Sequence, residues 1–498
     1  MKFLYRKGSH RPTAFRRTAS AGERGFNTAG LCDLHATGER QQRCIAISPH
    51  GPIAIDGPQG LSEFGDTDSK LFPTGPPQKT SPPGPARYAE TVDPAIEIEK
   101  LVYGGQGLGR LDGHVALVPF VLPGERVEIE PFRQTPKLIR ARATAWQQRS
   151  PVRVPPACPL FERCGGCHYQ HIPSEKQLEY KIQILRETLS RVGRIGWDGP
   201  IETVSANPWA YRNRTQLHIR SRGTKRDKKL VVGLLEAGSH LLIEADTCPI
   251  NSPALNRAHA GLLEMVRDRR FPSFVREVEF FTNETDVQVT VSADGRPIPK
   301  ALFDLFSEKI DGFSPDGTID YSCGGNSFQV AGGSFFQVNR FLVDKLAELA
   351  VGDASGQTVL DLYAGVGLFS LPLGERFEEV IAADSSAKAI RSLQFNAERA
   401  NRRVRLIHAD VEDFLPSVTE PVDFVITDPP RAGLGPRVTA ELLRIQPASL
   451  IIVSCDPATL ARDLKVLIAG GLEIESITLV DLFPQTFHLE SVVRLRRE

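Results

Sequence analysis

Short apolar runs that end in an aspartate recur four times in the carboxyl-terminal third of the chain, and this repetition limits the possible folds more than any other feature. The four residues are Asp361, Asp384, Asp410 and Asp428. Runs of this length, bounded by turn-forming residues, are typical of strands buried inside a parallel sheet. The carboxyl ends of such strands meet at one edge, where open α/β sheets bind ligands. Residues 331–498 are therefore predicted to form a doubly wound α/β sheet with a ligand site at that edge.

A glycine turn after the first run indicates the kind of ligand. Gly365 and Gly367 allow backbone amides to approach a bound molecule closely. Asp384 follows Gly365 by 19 residues, the spacing at which nucleotide-binding folds hold a ribose diol. The third glycine of a dinucleotide site is missing, since Leu368 and Phe369 are predicted to lead directly into a helix. The pattern favours S-adenosylmethionine (SAM), which has no pyrophosphate.

A cysteine ends another apolar run. Residues 450–454 read as a short buried strand, and Asp456 and Pro457 stop it immediately after Cys455. A thiol in this position is either a small buried apolar group or a nucleophile. Because Cys455 is expected at the same sheet edge as the aspartates, the pattern favours a nucleophile.

Five motifs occur in order along the second half of the chain. They lie at residues 334–339, 361–367, 428–433, 454–457 and 483–490. Together they resemble the RNA uracil-C5 methyltransferases, and within these the branch that acts on 23S ribosomal RNA. The resemblance covers roughly residues 93–498. It implies SAM-dependent methylation of uridine C5 in 23S rRNA. The alternatives are a tRNA uracil-C5 methyltransferase and a non-catalytic RNA-binding or assembly protein.

The resemblance also implies catalytic roles. Uracil C5 is a poor nucleophile until a group adds to C6, and a thiolate suits this covalent step. Cys455 is the residue implied to add to C6, and Glu490 the base that removes the C5 proton. The residues alone leave open whether Glu490 or Asp428 is the base.

Further residues are implied to contact SAM. They are Gln337, Tyr363, Asp384 and Asp428, with Asp410 a weaker member. Asp384 stands where the family usually has glutamate, so its shorter side chain is expected to reach the ribose through water.

Four cysteines have the pattern of a metal centre. Cys158, Cys164 and Cys167 form C-x5-C-x2-C, and Cys248 follows. Four thiolates can bind zinc or an iron–sulfur cluster. The three-plus-one grouping favours a 4Fe–4S cluster, which the resemblance also implies. Eight cysteines in 498 residues are too sparse for a secreted disulfide scaffold.

Charge is uninformative over the whole chain but not locally. The net charge is zero, yet residues 131–153 carry six Lys or Arg and no acid, and residues 212–229 carry eight against one aspartate. Such stretches near aromatic residues favour contacts with RNA phosphates and bases. The sequence contains no apolar run of membrane-spanning length. A cytoplasmic monomer that binds 23S rRNA without a membrane is expected.

Composition divides the chain into four parts. Residues 1–92 are rich in Pro, Gly and basic residues, and are predicted to be disordered or a mispredicted extension. Alternating apolar residues and glycine turns predict an OB-like barrel at 93–150, which in this family is a TRAM RNA-binding domain. A β-rich central domain with the iron–sulfur module is expected at 151–330, and the methyltransferase sheet at 331–498.

Overall fold

The computed structural model describes residues 94–224, 227 and 229–497, together with strands β1 (Arg43–Ala46) and β2 (Ile53–Ala54). The other residues of the predicted extension 1–92 lie outside the described residues, as do Lys225, Arg226 and Lys228 of the second basic stretch. In the described part of the chain, no helix is both long and apolar enough to cross a membrane.

A closed five-stranded barrel forms where the sequence predicts one. Its strands are β3 (Ala95–Val102), β4 (Gln106–Leu111), β5 (His114–Pro119), β6 (Arg126–Gln134) and β7 (Leu138–Gln148), in the order β3-β4-β5-β7-β6. Alternate apolar residues such as Ile96 and Ile98 are buried inside it, as expected for strands with one dry face.

The central region combines three α-helices with an antiparallel sheet. Its elements are α1 (Ser174–Thr188), a π-helical turn (Leu189–Gly193), β8 (Glu202–Val204), β9 (Arg214–Arg222), β10 (Lys229–Leu235), β11 (Leu242–Glu244), α2 (Pro253–Met265), β12 (Val275–Thr282), β13 (Val287–Ala293), α3 (Lys300–Lys309), β14 (Thr318–Cys323) and β15 (Asn326–Ala331). The described strands pair in the order β11-β10-β9-β12-β13-β1-β2, and β14 with β15 forms a separate hairpin. The apolar faces of α2 and α3 pack on this sheet.

The carboxyl-terminal region is a mixed sheet with helices on both faces. Its elements are α4 (Val343–Val351), β16 (Gly356–Leu362), α5 (Ser370–Leu373), β17 (Phe377–Asp384), α6 (Ala387–Arg399), β18 (Val404–His408), α7 (Val411–Phe414), a 3-10 turn (Leu415–Ser417), β19 (Phe424–Thr427), α8 (Gly435–Ile445), β20 (Ser449–Ser454), α9 (Pro457–Ala469), β21 (Leu472–Val480) and β22 (Ser491–Arg497). The strand order is β18-β17-β16-β19-β20-β22-β21-β8.

Two details of this sheet differ from the sequence prediction. Strand β8, which lies before residue 331, pairs in parallel with β21, so the sheet takes a strand from the central region. Leu368 and Phe369 lie in a turn, and the helix that follows is the single turn α5. Pro372 has no backbone N–H to extend that helix, and Gly374 follows its end.

Candidate active site

The pairing of β20 with β22 brings the two predicted catalytic residues together. Ser454 lies opposite Ser491 in this antiparallel ladder, and the Ser491 hydroxyl donates to the Ser454 carbonyl at 3.3 Å. The next residues outward are Cys455 and Glu490. Because β22 runs against the parallel strands, its amino end lies at their carboxyl edge. The nucleophile candidate and the base candidate therefore face each other at the predicted edge of the sheet.

Burial and neighbouring acids raise the pKa of both groups. Burial raises the pKa of the Cys455 thiol to about 12, with Glu490 and Asp428 adding to the shift and Arg431 opposing it. Burial also raises the pKa of Glu490 well above its usual value, and Asp428 adds to this. In the free protein at neutral pH, the thiol therefore carries its proton.

Asp428 follows β19 and joins this group to the predicted SAM site. The side-chain amide of Gln337 donates to the Asp428 carboxylate at 3.2 Å. Asp428 keeps part of its surface accessible, yet protein surrounds it, and this burial raises its pKa to about 7. Gln337 is itself buried, and its backbone carbonyl accepts a hydrogen bond from the side-chain amide of Asn213 at 2.9 Å. The central region thus fixes Gln337 against Asp428.

The glycine turn lies beside Asp384. The backbone N–H of Gly365 donates to Asp384 Oδ2 at 2.9 Å, and that of Ser386 donates to Oδ1 at 2.7 Å. At Gly367 the backbone φ is +96°, and a Cβ atom would lie 2.2 Å from Leu393. Glycine is therefore required at this position by both conformation and space.

Tyr363 and Asp410 occupy the rim of the same edge. Tyr363 has φ +63°, an uncommon backbone conformation for a residue with a side chain. Burial raises its pKa to about 12, and nearby acids, including Asp410, act in the same direction. Asp410 is exposed just before α7. All five predicted SAM contacts therefore lie around the carboxyl ends of the parallel strands.

Asp361, the first of the four aspartates, lies beneath the glycine turn and is fully buried. The Ser370 hydroxyl donates to Asp361 Oδ2, whereas Oδ1 has no hydrogen-bond partner among the described residues. Burial raises the pKa of Asp361 to about 7. The hydrogen bond between Asp361 and Ser370 therefore connects β16 to the start of α5, on the two sides of the glycine turn.

Four further residues around Cys455 and Glu490 were not singled out from the sequence. They are Tyr103, Arg431, Phe487 and His488. The Arg431 guanidinium lies 3.4 Å from His488 Nδ1, and burial lowers the pKa of His488 to about 3, so this ring is neutral. Phe487 and His488 lie within the sequence motif at 483–490, so that motif could have identified them as site residues. Tyr103 belongs to the barrel and lies in no such motif.

The four predicted metal-binding cysteines line one cavity. Cys158, Cys164, Cys167 and Cys248 surround a space of about 50 Å³. The Gly166 backbone N–H points at the Cys164 sulfur at 3.4 Å. Burial raises the pKa of Cys167 to about 12, and the neighbouring thiols add to this shift.

The spacing of these cysteines does not suit a single ion. Within the described ranges, no group of three or more His, Cys, Asp or Glu side chains is placed to hold a metal ion. A tetrahedral zinc site would draw its four sulfurs to within roughly 4 Å of one another.

Some arginines of the basic stretches form ion pairs within the protein, which their composition alone does not show. In 212–229, Arg214 pairs with Glu279 and Arg222 with Glu244, so these charges are partly consumed within the protein. In 131–153, Arg133 and Arg140 lie opposite each other on β6 and β7. Phe132 is 65% exposed beside them. With the exposed Phe132, these two arginines make the barrel a candidate surface for RNA.

Fold and site together define a class of protein. Parallel strands, one antiparallel strand at the sixth position of the sheet, a glycine turn and an acid-lined carboxyl edge are the features of a class I SAM-dependent methyltransferase.

Comparison with known proteins gives the family. Residues 325–498 match the family model described as tRNA (Uracil-5-)-methyltransferase. An uncharacterised RNA methyltransferase of Thermotoga maritima is 30% identical, covering 80% of this chain and 98% of its own. One from Aquifex aeolicus is 31% identical, covering 80% and 97%. The chain belongs to the RNA uracil-C5 methyltransferase family.

A solved structure agrees with this assignment. The Pyrococcus abyssi tRNA (uracil-54, C5)-methyltransferase, in complex with S-adenosyl-L-homocysteine, superimposes with a TM-score of 0.63 at 27% identity. The match covers 80% of this chain and 100% of that one, a share that residues 151–498 alone cannot reach. The similarity therefore extends beyond the methyltransferase sheet and the central region.

Proposed function

We propose that this protein methylates C5 of a uridine in 23S rRNA through a covalent bond between Cys455 and uracil C6. The observation that carries the proposal is the placement of Cys455 opposite Glu490, with Asp428 beside both. A nucleophile and a proton acceptor on one sheet edge are what C5 substitution needs.

The reaction begins at Cys455. Its thiol gives up a proton to solvent, and the sulfur bonds to C6 while the C5–C6 π electrons move toward C5 and O4 as an enolate. SAM supplies the methyl group that C5 then takes. Glu490, as a carboxylate, removes the C5 proton, the double bond re-forms, and the C6–S bond breaks to release the thiolate. The thiolate takes up a proton from solvent and Glu490 gives the C5 proton to solvent, so both groups return to their starting forms and one proton is released for each methyl group transferred.

The predicted SAM-contacting residues have separate tasks in this scheme. Gln337 and Asp428, already hydrogen-bonded to each other, would hold the polar groups of SAM next to Cys455. Asp384 and the Gly365 amide would face the ribose. Tyr363 would line the adenosine side, with Asp410 at the open rim.

We also propose that the four-cysteine cavity holds a 4Fe–4S cluster. Four thiols around one space provide the complete donor set for such a cluster, and an amide pointing at one sulfur is typical of its surroundings. A 4Fe–4S cluster is larger than one ion and takes one thiolate at each iron, so its four cysteines lie farther apart than the ligands of a single metal ion. Bound there, it would cross-link the loop at 158–167 to Cys248.

The sequence resemblance and the structural comparison favour different RNA substrates. The resemblance to the 23S rRNA branch, with its barrel and cysteines, favours rRNA. The P. abyssi structure favours a tRNA target instead, because a tRNA enzyme aligns over more than the two carboxyl-terminal regions of this chain. The extent of the structural match therefore does not favour rRNA over tRNA.

Methylation of purified RNAs tests the proposal. The protein, SAM with a labelled methyl group, and either unmodified 23S rRNA or unmodified tRNA transcripts are combined, and the digested RNA is analysed by mass spectrometry. We expect 5-methyluridine in 23S rRNA, and none with Cys455→Ala, which should still bind SAM. Methylation confined to tRNA would replace the proposed substrate. No methylation of either RNA by protein containing its metal would favour a non-catalytic RNA-binding protein.

A further inference from the structure

A turn of the barrel enters the candidate active site. Tyr103 lies between β3 and β4, and its hydroxyl donates to the backbone carbonyl of Cys455 at 3.2 Å, across 352 positions of sequence. Its ring meets that of Phe487 edge-on, with centroids 5.4 Å apart. The barrel thus contacts both the nucleophile's loop and the loop that leads to Glu490.

The turn is shaped for this approach. Gly105 has φ +79°, and a Cβ atom there would lie 3.1 Å from the side chain of His168 and 3.2 Å from that of Phe487. A side chain at Gly105 would therefore be strained and would push the turn away from the site. The backbone of this turn therefore lies as close to His168 and Phe487 as a glycine allows.

The hydrogen bond acts at a short connection. Only Cys455 and Asp456 separate β20 from α9, and the Asp456 carboxylate caps that helix by accepting from Ala458 and Thr459 at 2.9 Å. The Cys455 carbonyl is the part of this connection that Tyr103 holds. Burial and the nearby Asp456 raise the pKa of Tyr103, so its hydroxyl remains a donor across the assay range.

We propose that Tyr103 is a positioning residue of the methyltransferase, holding the Cys455 peptide and Phe487 in fixed relation so that the barrel completes the active site. This inference rests on the proposed function and adds a catalytic task to a domain expected only to bind RNA. Through Tyr103, the conformation of the cysteine loop depends on docking of the barrel.

Tyr103→Phe tests the hydroxyl, because it keeps the ring contact with Phe487 and removes only the donor. We expect kcat to fall roughly five- to tenfold, the effect of one lost hydrogen bond, while KM for RNA and for SAM stays unchanged. The rate of Cys455 alkylation by iodoacetamide, measured by mass spectrometry at each pH between 6 and 10, should change because the peptide that carries the thiol is no longer held. Tyr180→Phe, which removes a half-buried hydroxyl on α1, is the matched control and should change neither quantity.

The outcomes separate the two proposals. Unchanged kcat and alkylation in Tyr103→Phe would overturn the positioning role, as would a raised KM for RNA at constant kcat, which would make Tyr103 an RNA contact. If wild-type protein methylates no RNA, the proposed function fails, and the alkylation profile still decides whether Tyr103 governs Cys455.

Discussion

The proposed chemistry of this protein depends on two carboxyl groups and one thiol. Cys455, Asp428 and Glu490 share a site in which burial opposes every negative charge. Arg431 is a cationic group that lowers the pKa of both Cys455 and Glu490. The covalent mechanism therefore requires Cys455 to lose its proton against a raised pKa.

Asp361 makes the stability of the protein depend on pH. Burial raises the pKa of Asp361 from 3.8 to about 7. The protonated carboxyl therefore contributes its full stabilisation of the folded state below about pH 4, and this contribution is lost as the pH rises through 7. We expect Asp361→Asn to reduce the fall in unfolding free energy between pH 4 and pH 8 by at most about 4 kcal/mol. Denaturant unfolding at each pH measures this.

The matched control is Asp353→Asn, which changes an exposed aspartate before β16. It should leave the pH dependence as in the wild type. An identical pH dependence in wild type and Asp361→Asn would show that the Asp361 carboxyl titrates as if it were exposed.

Among the secondary-structure elements, one hydrogen-bonded unit connects the cysteine module to the loop before Glu490. The backbone amides of His168 and Tyr169 both donate to the Gln485 carbonyl, at 2.8 and 3.0 Å. Gln177 of α1 is buried and accepts from the Gln485 amide at 2.8 Å. Because Cys167 directly precedes His168, this predicted metal ligand is adjacent in sequence to a residue that is hydrogen-bonded to the loop before Glu490.

Cys164→Ser tests the metal assignment. Anaerobically purified wild type should contain about four irons per chain, with broad absorbance near 400 nm, and the variant should lose both. We expect the variant to retain SAM affinity, because four of the five predicted SAM contacts lie at the carboxyl ends of strands in the carboxyl-terminal sheet. Cys323→Ser, a buried cysteine on β14 outside the cavity, should keep its iron. Stoichiometric zinc without iron in the wild type would contradict the assignment.

The barrel surface predicts how RNA binding responds to salt. Arg133 and Arg140 are cross-strand neighbours beside the exposed Phe132. Arg142, on the same strand as Arg140, forms an ion pair with Glu130. We expect Arg133→Gln with Arg140→Gln to lower the slope of log affinity against log salt by about 0.7–0.9 for each lost phosphate contact. Filter binding of rRNA fragments over a salt series measures the slope.

Neutralising the pair Arg142 and Glu130 together is the control for this experiment. Because their charges cancel, Arg142→Gln with Glu130→Gln should leave the slope close to that of the wild type. A slope unaffected by the loss of Arg133 and Arg140 would place the RNA on another surface.

For the whole molecule, the sequence was most informative where the pattern is local. The buried strands, the glycine turn and the cysteine grouping are read from neighbouring residues, and the family assignment is confirmed. Long-range pairing is different. The register of β20 with β22 decides that Cys455 faces Glu490, and no local pattern encodes it. Tyr103 is harder still, because its partner is 352 positions away.

Counts of charge also have a limit at this scale. The stretch 212–229 has an excess of basic residues, but Arg214 and Arg222 are paired with acids that lie elsewhere in the sequence. Composition records the charges of a segment and not their partners, so it overstates the basic surface that remains for RNA.

The most direct test of the covalent mechanism uses RNA that contains 5-fluorouridine. Fluorine at C5 cannot be removed as a proton, so Glu490 has no proton to take and the bond to Cys455 cannot be released. With SAM present, wild-type protein should form a denaturation-resistant complex with RNA, and peptide mass spectrometry should place the nucleotide on Cys455. The account predicts this adduct in the wild type and its absence in Cys455→Ala. Methylation of ordinary RNA without any trapped complex, or an adduct that persists in Cys455→Ala, would contradict it.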